Sequence, residues 1–216
     1  MQPIFSRNED IEKIAFLNWR ISSDDAILNM TNMAEGFLNS AIRLAKLNLI
    51  YNDHKSADIL IFPILTNANH GIELYLKAMT WMLNLILNNG TKIEGSHNIR
   101  QIYQTVKAKI KAYKGKISPK DFAEATAELE NYIGELFAKI EATDQKDRMD
   151  FSRYPFDTKY DNHFYVDLIG NVEIDLENFV KRFEIISQSL ENLCDFIYYQ
   201  ELRDDTMLST DISNGV

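Results

Sequence analysis

The stretch from Ile59 to Leu87 limits this chain more than any other. Its apolar positions wrap nearly all round a helical wheel, and a helix of that kind must be buried on every side. Asn67, Asn69, His70, Glu73, Lys77 and Asn84 interrupt it. That is too much polarity for an unassisted membrane span, so the spacing predicts a core helix. Pro63 lies near its start, where a proline either marks the first turn or kinks the helix by removing a backbone donor. Other helices must then supply the apolar faces that cover it. The chain has 216 residues, enough for one such core, and holds only 8 glycines and 4 prolines. Sheets with many tight turns need more of both residues, so an all-β fold is excluded.

The covering helices can be read from their caps and stripes. Ser22, Ser23, Asp24 and Asp25 start a first long helix running to about Tyr51, with Ile27, Met30, Ala34, Phe37, Ala41, Leu44, Ala45 and Leu49 inward. The central helix begins near Ser56 or Ala57. A third helix carries Ile99, Ile102, Tyr103, Val106, Ile110 and Tyr113. Ser118 caps a fourth, with Pro119 at its first position and a stripe from Phe122 to Ile140. Asp175 caps the last, with Phe179, Phe183, Ile186, Leu190, Leu193 and Ile197 inward. A short helix is expected around Ile11 to Trp19. Between about Thr143 and Asn171 the period fails. Phe151 to Asp161 suits an ordered loop, and Phe164 to Ile174 a short hairpin or a crossing segment.

Composition narrows the function. The net charge is -9, which taken whole argues against a general nucleic-acid binder. Charge is uneven, however. Lys92 to Lys120 holds eight basic residues and one acid, so that segment is +7 and the remainder -16. A basic face on the third helix can neutralise phosphates; it can equally pair with acidic helices. Cys194 is the only cysteine and falls within the apolar pattern of the last helix, where a buried, inert thiol is expected. The N-terminal residues lack a secretory pattern. No phosphate loop, dinucleotide-binding glycine motif or zinc-peptidase helix is present.

Five polar residues carry the candidate chemistry. His70, Glu73 and Lys77 share one helix face at i, i+3 and i+7. A carboxylate beside an imidazole orients the ring for acid–base work, and Lys77 can hold a phosphate. The structural alternative is a buried network in which Glu73 and Lys77 pair. His97 opens the third helix and can face His70 or Glu73 across the bundle, or merely cap. Arg153, with Tyr154 and Asp157, lies in the irregular segment; its guanidinium can grip phosphate or clasp a carboxylate. One reversed His-x-x-Glu pair does not make a di-metal site, and no metal or cofactor is expected.

The order FPILTNANHGIELYLKA (62–78), GSHNIRQIY (95–103) and FSRYP (151–155) resembles the HEPN helical domain, named for higher-eukaryote and prokaryote nucleotide binding. Asn69-His70, Glu73 and Leu76-Lys77-Ala78 match its proline-bearing second helix. Gly95, His97 and Ile99 match the start of its next helix, with Ser96 intervening. The resemblance covers roughly residues 22 to 110 plus the final helix by position. It implies a helical bundle, commonly homodimeric, in bacterial toxin–antitoxin or phage-defence systems, often beside a nucleotidyltransferase partner. Many members are metal-independent ribonucleases with an Arg a few residues before a His. None of His54, His70, His97 or His163 has an Arg at that spacing, and the nearest approach is Arg153 to His163. A cleaving site would have to join residues distant in sequence.

The expectation is therefore an all-α, four- to five-helix up-and-down bundle with a kinked central helix and a long loop or hairpin before the last helix. Residues 1–21 form an N-terminal segment, 22–202 the bundle and 203–216 a flexible tail. The expected protein is cytoplasmic, homodimeric and not membrane-bound. It binds RNA through Lys77, Arg100, Lys107, Lys111 and Lys114, and cleavage would use His70, Glu73, His97 and Arg153. Alternatively it is a non-catalytic interaction domain for a partner such as a nucleotidyltransferase.

Overall fold

A computed structural model describes residues 1–90, 92–93, 95–141, 149–157, 159–166 and 171–203. Among them the regular structure is helical, with no strand and a single antiparallel bridge between Phe156 and Asn162. Six α-helices follow in order: α1 (Ala26–Ile50), α2 (Ala57–Ile86), α3 (Ile99–Tyr113), α4 (Pro119–Ala125), α5 (Ala127–Glu141) and α6 (Leu176–Phe196). None of the described helices is long and apolar enough to cross a membrane. The proposed hairpin includes residues 167–170, and the proposed tail is almost entirely residues 204–216; both lie outside the described residues.

Helix α2 is the hub. It packs along α1 most extensively, and also meets α3, α6 and the turn that follows α6. Ile64, Ala68, Ile72, Leu76, Ala78, Met79 and Met82 are fully enclosed, as a helix apolar all round requires. Gly71 sets its distance from α1. A methyl group there would lie 2.7 Å from Leu38 Cγ and 3.0 Å from the backbone oxygen of Ala34. Helix α2 continues through Pro63, whose missing amide falls on its exposed first turns.

Caps fix the boundaries. Asp25, Asn98, Ser118 and Asp175 each accept a hydrogen bond from a first-turn amide of α1, α3, α4 and α6. Three details differ from the sequence reading. The expected helix near the N-terminus is one 3₁₀ turn, Ile11–Lys13, and the apolar side chains around it are exposed rather than packed. Leu49 is exposed while Asn48 is buried. The Asn48 side chain donates to the Leu44 carbonyl and accepts from Ser56, closing the α1–α2 turn. The single helix expected after Ser118 breaks at Thr126. That buried hydroxyl donates back to the Phe122 carbonyl and meets the Tyr103 hydroxyl at 2.9 Å.

Past α6 the chain winds into a π-helical turn, Ile197–Leu202. The buried Glu201 carboxylate there accepts from Tyr113 OH and from the amides of Lys116 and Ile117, fastening the α3–α4 connection to the chain's far end. Cys194 is enclosed against the Tyr75 carbonyl, and burial pushes its thiol pKa well up.

Candidate functional site

The helical repeat puts His70, Glu73 and Lys77 on one side of α2, and all three meet there. Lys77 Nζ donates to Glu73 Oε1 at 2.8 Å, and both side chains are buried. The fourth member arrives from another element. Asn98 caps α3, and its own amide donates to Ser96 Oγ; between these two anchors His97 turns back toward α2. Its Nδ1 lies 2.8 Å from the same Glu73 oxygen. An ionised carboxylate only accepts, so Nδ1 carries the proton and Nε2 is left as the basic nitrogen. The His97 side chain is 76% exposed, so the ring is open to solvent although its partner is not.

His70 is held differently. Its ring stands edge-on to Phe37 with centroids 4.4 Å apart. Its Nδ1 is 3.8 Å from Glu73 Oε2, beyond hydrogen-bond reach, and has no hydrogen-bond partner among the described residues. Burial alone would raise the Glu73 pKa. The nearby His70 ring and the hydrogen bonds from Lys77 and His97 outweigh that and hold the carboxyl at about 2. Glu73 is an anion at any physiological pH, fixed among cationic or neutral nitrogens.

Beside His70, Asn69 is buried and its Oδ1 accepts from Tyr132 OH at 2.7 Å. That bond ties α2 to α5. Burial drives the Tyr132 hydroxyl pKa upward, so it stays a donor.

Arg153 does not join this group. The loop carrying it docks on α2 through Thr66, whose hydroxyl meets Ser152 Oγ at 2.9 Å and the Ser152 carbonyl at 3.1 Å. Thr66 is one turn before His70. The Arg153 side chain itself is exposed, with no ion pair to a described residue. Neither of the two uses considered for it, with the histidines or in a carboxylate clasp, is present as a contact.

The basic residues of α3 divide in two. Arg100 pairs with Glu141 at 2.6 Å and lies over the Phe137 ring; Lys107 pairs with Glu130 at 2.9 Å. Both bridges cross to α5, and Lys77 is committed to Glu73. Lys111 and Lys114 are exposed, the latter ending α3 in a left-handed conformation.

Two features escape a periodic reading. Asp150 and the buried His163 face each other in the loop, with Oδ1 and Nε2 3.8 Å apart and neither hydrogen-bonded. Lys92 stands over the Trp81 ring of α2 at 5.7 Å. No spacing rule connects such positions; only the fold does. Among the described residues, no three His, Cys, Asp or Glu side chains converge as a metal ion would require.

Comparison of the chain with protein-family models, with curated proteins and with solved structures gives no match.

Proposed function

We propose that this chain is an RNA-binding and RNA-cleaving protein of HEPN type, acting in a bacterial toxin–antitoxin or phage-defence system, with Glu73 and His97 as its acid–base pair. The observation that carries the reading is the bond between a buried carboxylate, ionised at neutral pH, and an exposed imidazole. The carboxylate fixes the tautomer and steadies the ring as it gains charge. Nε2 of His97 takes the proton of a ribose 2′-hydroxyl. The freed oxygen attacks the adjacent phosphorus, and the bond to the 5′-oxygen breaks, with water protonating the leaving oxygen. Lys111, Lys114 and Arg153 are the exposed cations available for phosphate. In this reading the helices form an up-and-down bundle with α2 bent at Pro63, and the cytoplasmic protein pairs as a homodimer.

Incubation of the purified protein with mixed RNA in EDTA tests the proposal. Metal-independent cleavage is expected, lost in His97→Ala and strongly reduced in Glu73→Gln. Cleavage that survives both substitutions removes the pair from the reaction.

The second reading is a non-catalytic domain that binds a protein partner such as a nucleotidyltransferase. The Arg100–Glu141 and Lys107–Glu130 bridges favour it, because they neutralise basic charge within the chain. So do the exposed apolar side chains of Ile4, Phe5, Leu17 and Trp19. Absence of cleavage together with absence of salt-sensitive RNA binding selects this reading.

A further inference from the structure

A cleft of about 820 Å³ opens between the start of α2, the aromatic loop and the segment leading into α6. That lies within the usual range for small-molecule sites, about 300–1,000 Å³. It shares no residue with the Glu73 cluster. One wall is a chain of rings. Phe62 leans on Tyr165, Tyr165 on Phe164 and Phe164 on Phe151, each pair with centroids 5.5 Å apart. Tyr165 is held rigidly, because its hydroxyl donates to the backbone oxygens of Phe151 and Tyr154. Phe62 is 37% exposed, an aromatic face presented to the opening rather than sealed in the core.

The rim is acidic. Asp58, Glu173 and Asp175 line it against a single base, Lys55. Asp175 is engaged in capping α6. Asp58 and Glu173 are exposed, line the cleft and have no ion pair with a described residue. Aromatic faces attract a cation through their ring quadrupole, and nearby carboxylates add to that attraction. An anion meets the opposite field, which separates this cleft from any phosphate-binding surface.

We infer that this cleft binds a small organic cation, an amine carried on an aromatic or alkyl body, with the body against Phe62 and Tyr165 and the ammonium toward Asp58 and Glu173. The assignment is independent of the RNA reading, since neither the residues nor the ligand overlap.

The test is an amide chemical-shift titration of the full chain with three probes of one shape: 2-phenylethylamine, 2-phenylethanol and 3-phenylpropionate. Saturable shifts are expected around Asp58, Phe62, Tyr165 and Val172, with the amine bound about tenfold more tightly than the alcohol and the carboxylate weakest. The double substitution Asp58→Asn, Glu173→Gln, on the rim where folding is not at stake, should abolish the preference for the amine and leave the alcohol unchanged. Phe62→Ala should weaken all three. The inference fails if no probe saturates these amides, if alcohol or carboxylate binds as well as the amine, or if the double variant keeps the preference.

Discussion

Among the described residues, Glu73 and Asp150 each face histidine, and they are held in opposite ways. Glu73, on the rigid central helix, meets Lys77 and His97 at hydrogen-bond distance and His70 slightly farther out. Asp150, on an irregular loop, faces His163 across 3.8 Å with both facing atoms unsatisfied. The difference teaches where polar chemistry can be held. A continuous helix brings residues to one face at fixed spacing, and a cap on the next helix delivers the fourth group. In the loop pair both facing atoms are left unsatisfied, whereas in the helical cluster the carboxylate is bonded and only the His70 Nδ1 facing it is not.

The largest test of that contrast removes Glu73. In Glu73→Ala the buried Lys77 loses its counter-charge, and urea unfolding should show a loss of about 3–5 kcal/mol. A loss under about 1 kcal/mol would mean the network is not tightly coupled.

The pH profile probes the same group without an apolar truncation. The Glu73 carboxyl lies at about 2 in the fold against 4.5 when unperturbed. A depressed folded value means the stabilisation is present above the unfolded pKa. It is lost as pH falls from about 4.5 toward 2, in total about 3 kcal/mol at most. Subtracting the profile of Glu73→Gln should isolate this component; parallel profiles would contradict it.

Gly71 underlies the helical half of the comparison, because it sets how closely α1 packs on the helix that carries the cluster. Gly71→Ala places a methyl against the backbone of α1 and should lower stability by about 1–3 kcal/mol in thermal unfolding. An unchanged midpoint would show that α1 can move aside freely.

The smallest effect belongs to the loop. His163→Phe keeps the ring and removes an unsatisfied nitrogen, so the expected change is under about 1 kcal/mol in either direction. A large loss would reveal a hydrogen bond that the Asp150–His163 geometry does not contain.

What the sequence disclosed follows the same division. Helical elements with strong stripes were legible, and so was the alignment of His70, Glu73 and Lys77, since both rest on the 3.6-residue repeat. The His97–Glu73 approach was one of two stated options, readable because a glycine and a cap fix the start of α3. Thr126 was not legible. A threonine within a continuous stripe gives no sign that Tyr103 and Phe122 will pull its hydroxyl into the core and end one helix. Nor was Asn48 legible, since its burial depends on Ser56 from the next element. The cleft and the Asp150–His163 pair arise where the period fails, so nothing local announced them. The pairing of α3 with an acidic helix was likewise one of two stated options, and Arg100 and Lys107 take it by pairing with Glu141 and Glu130 of α5.

The enclosed Cys194 has a practical consequence. Being the only thiol in the chain, and sealed between α6 and α2, it is a built-in clock for opening. A thiol reagent added to the native protein reacts only as fast as that contact breathes, so its labelling rate times the molecule's own fluctuations, with no probe attached.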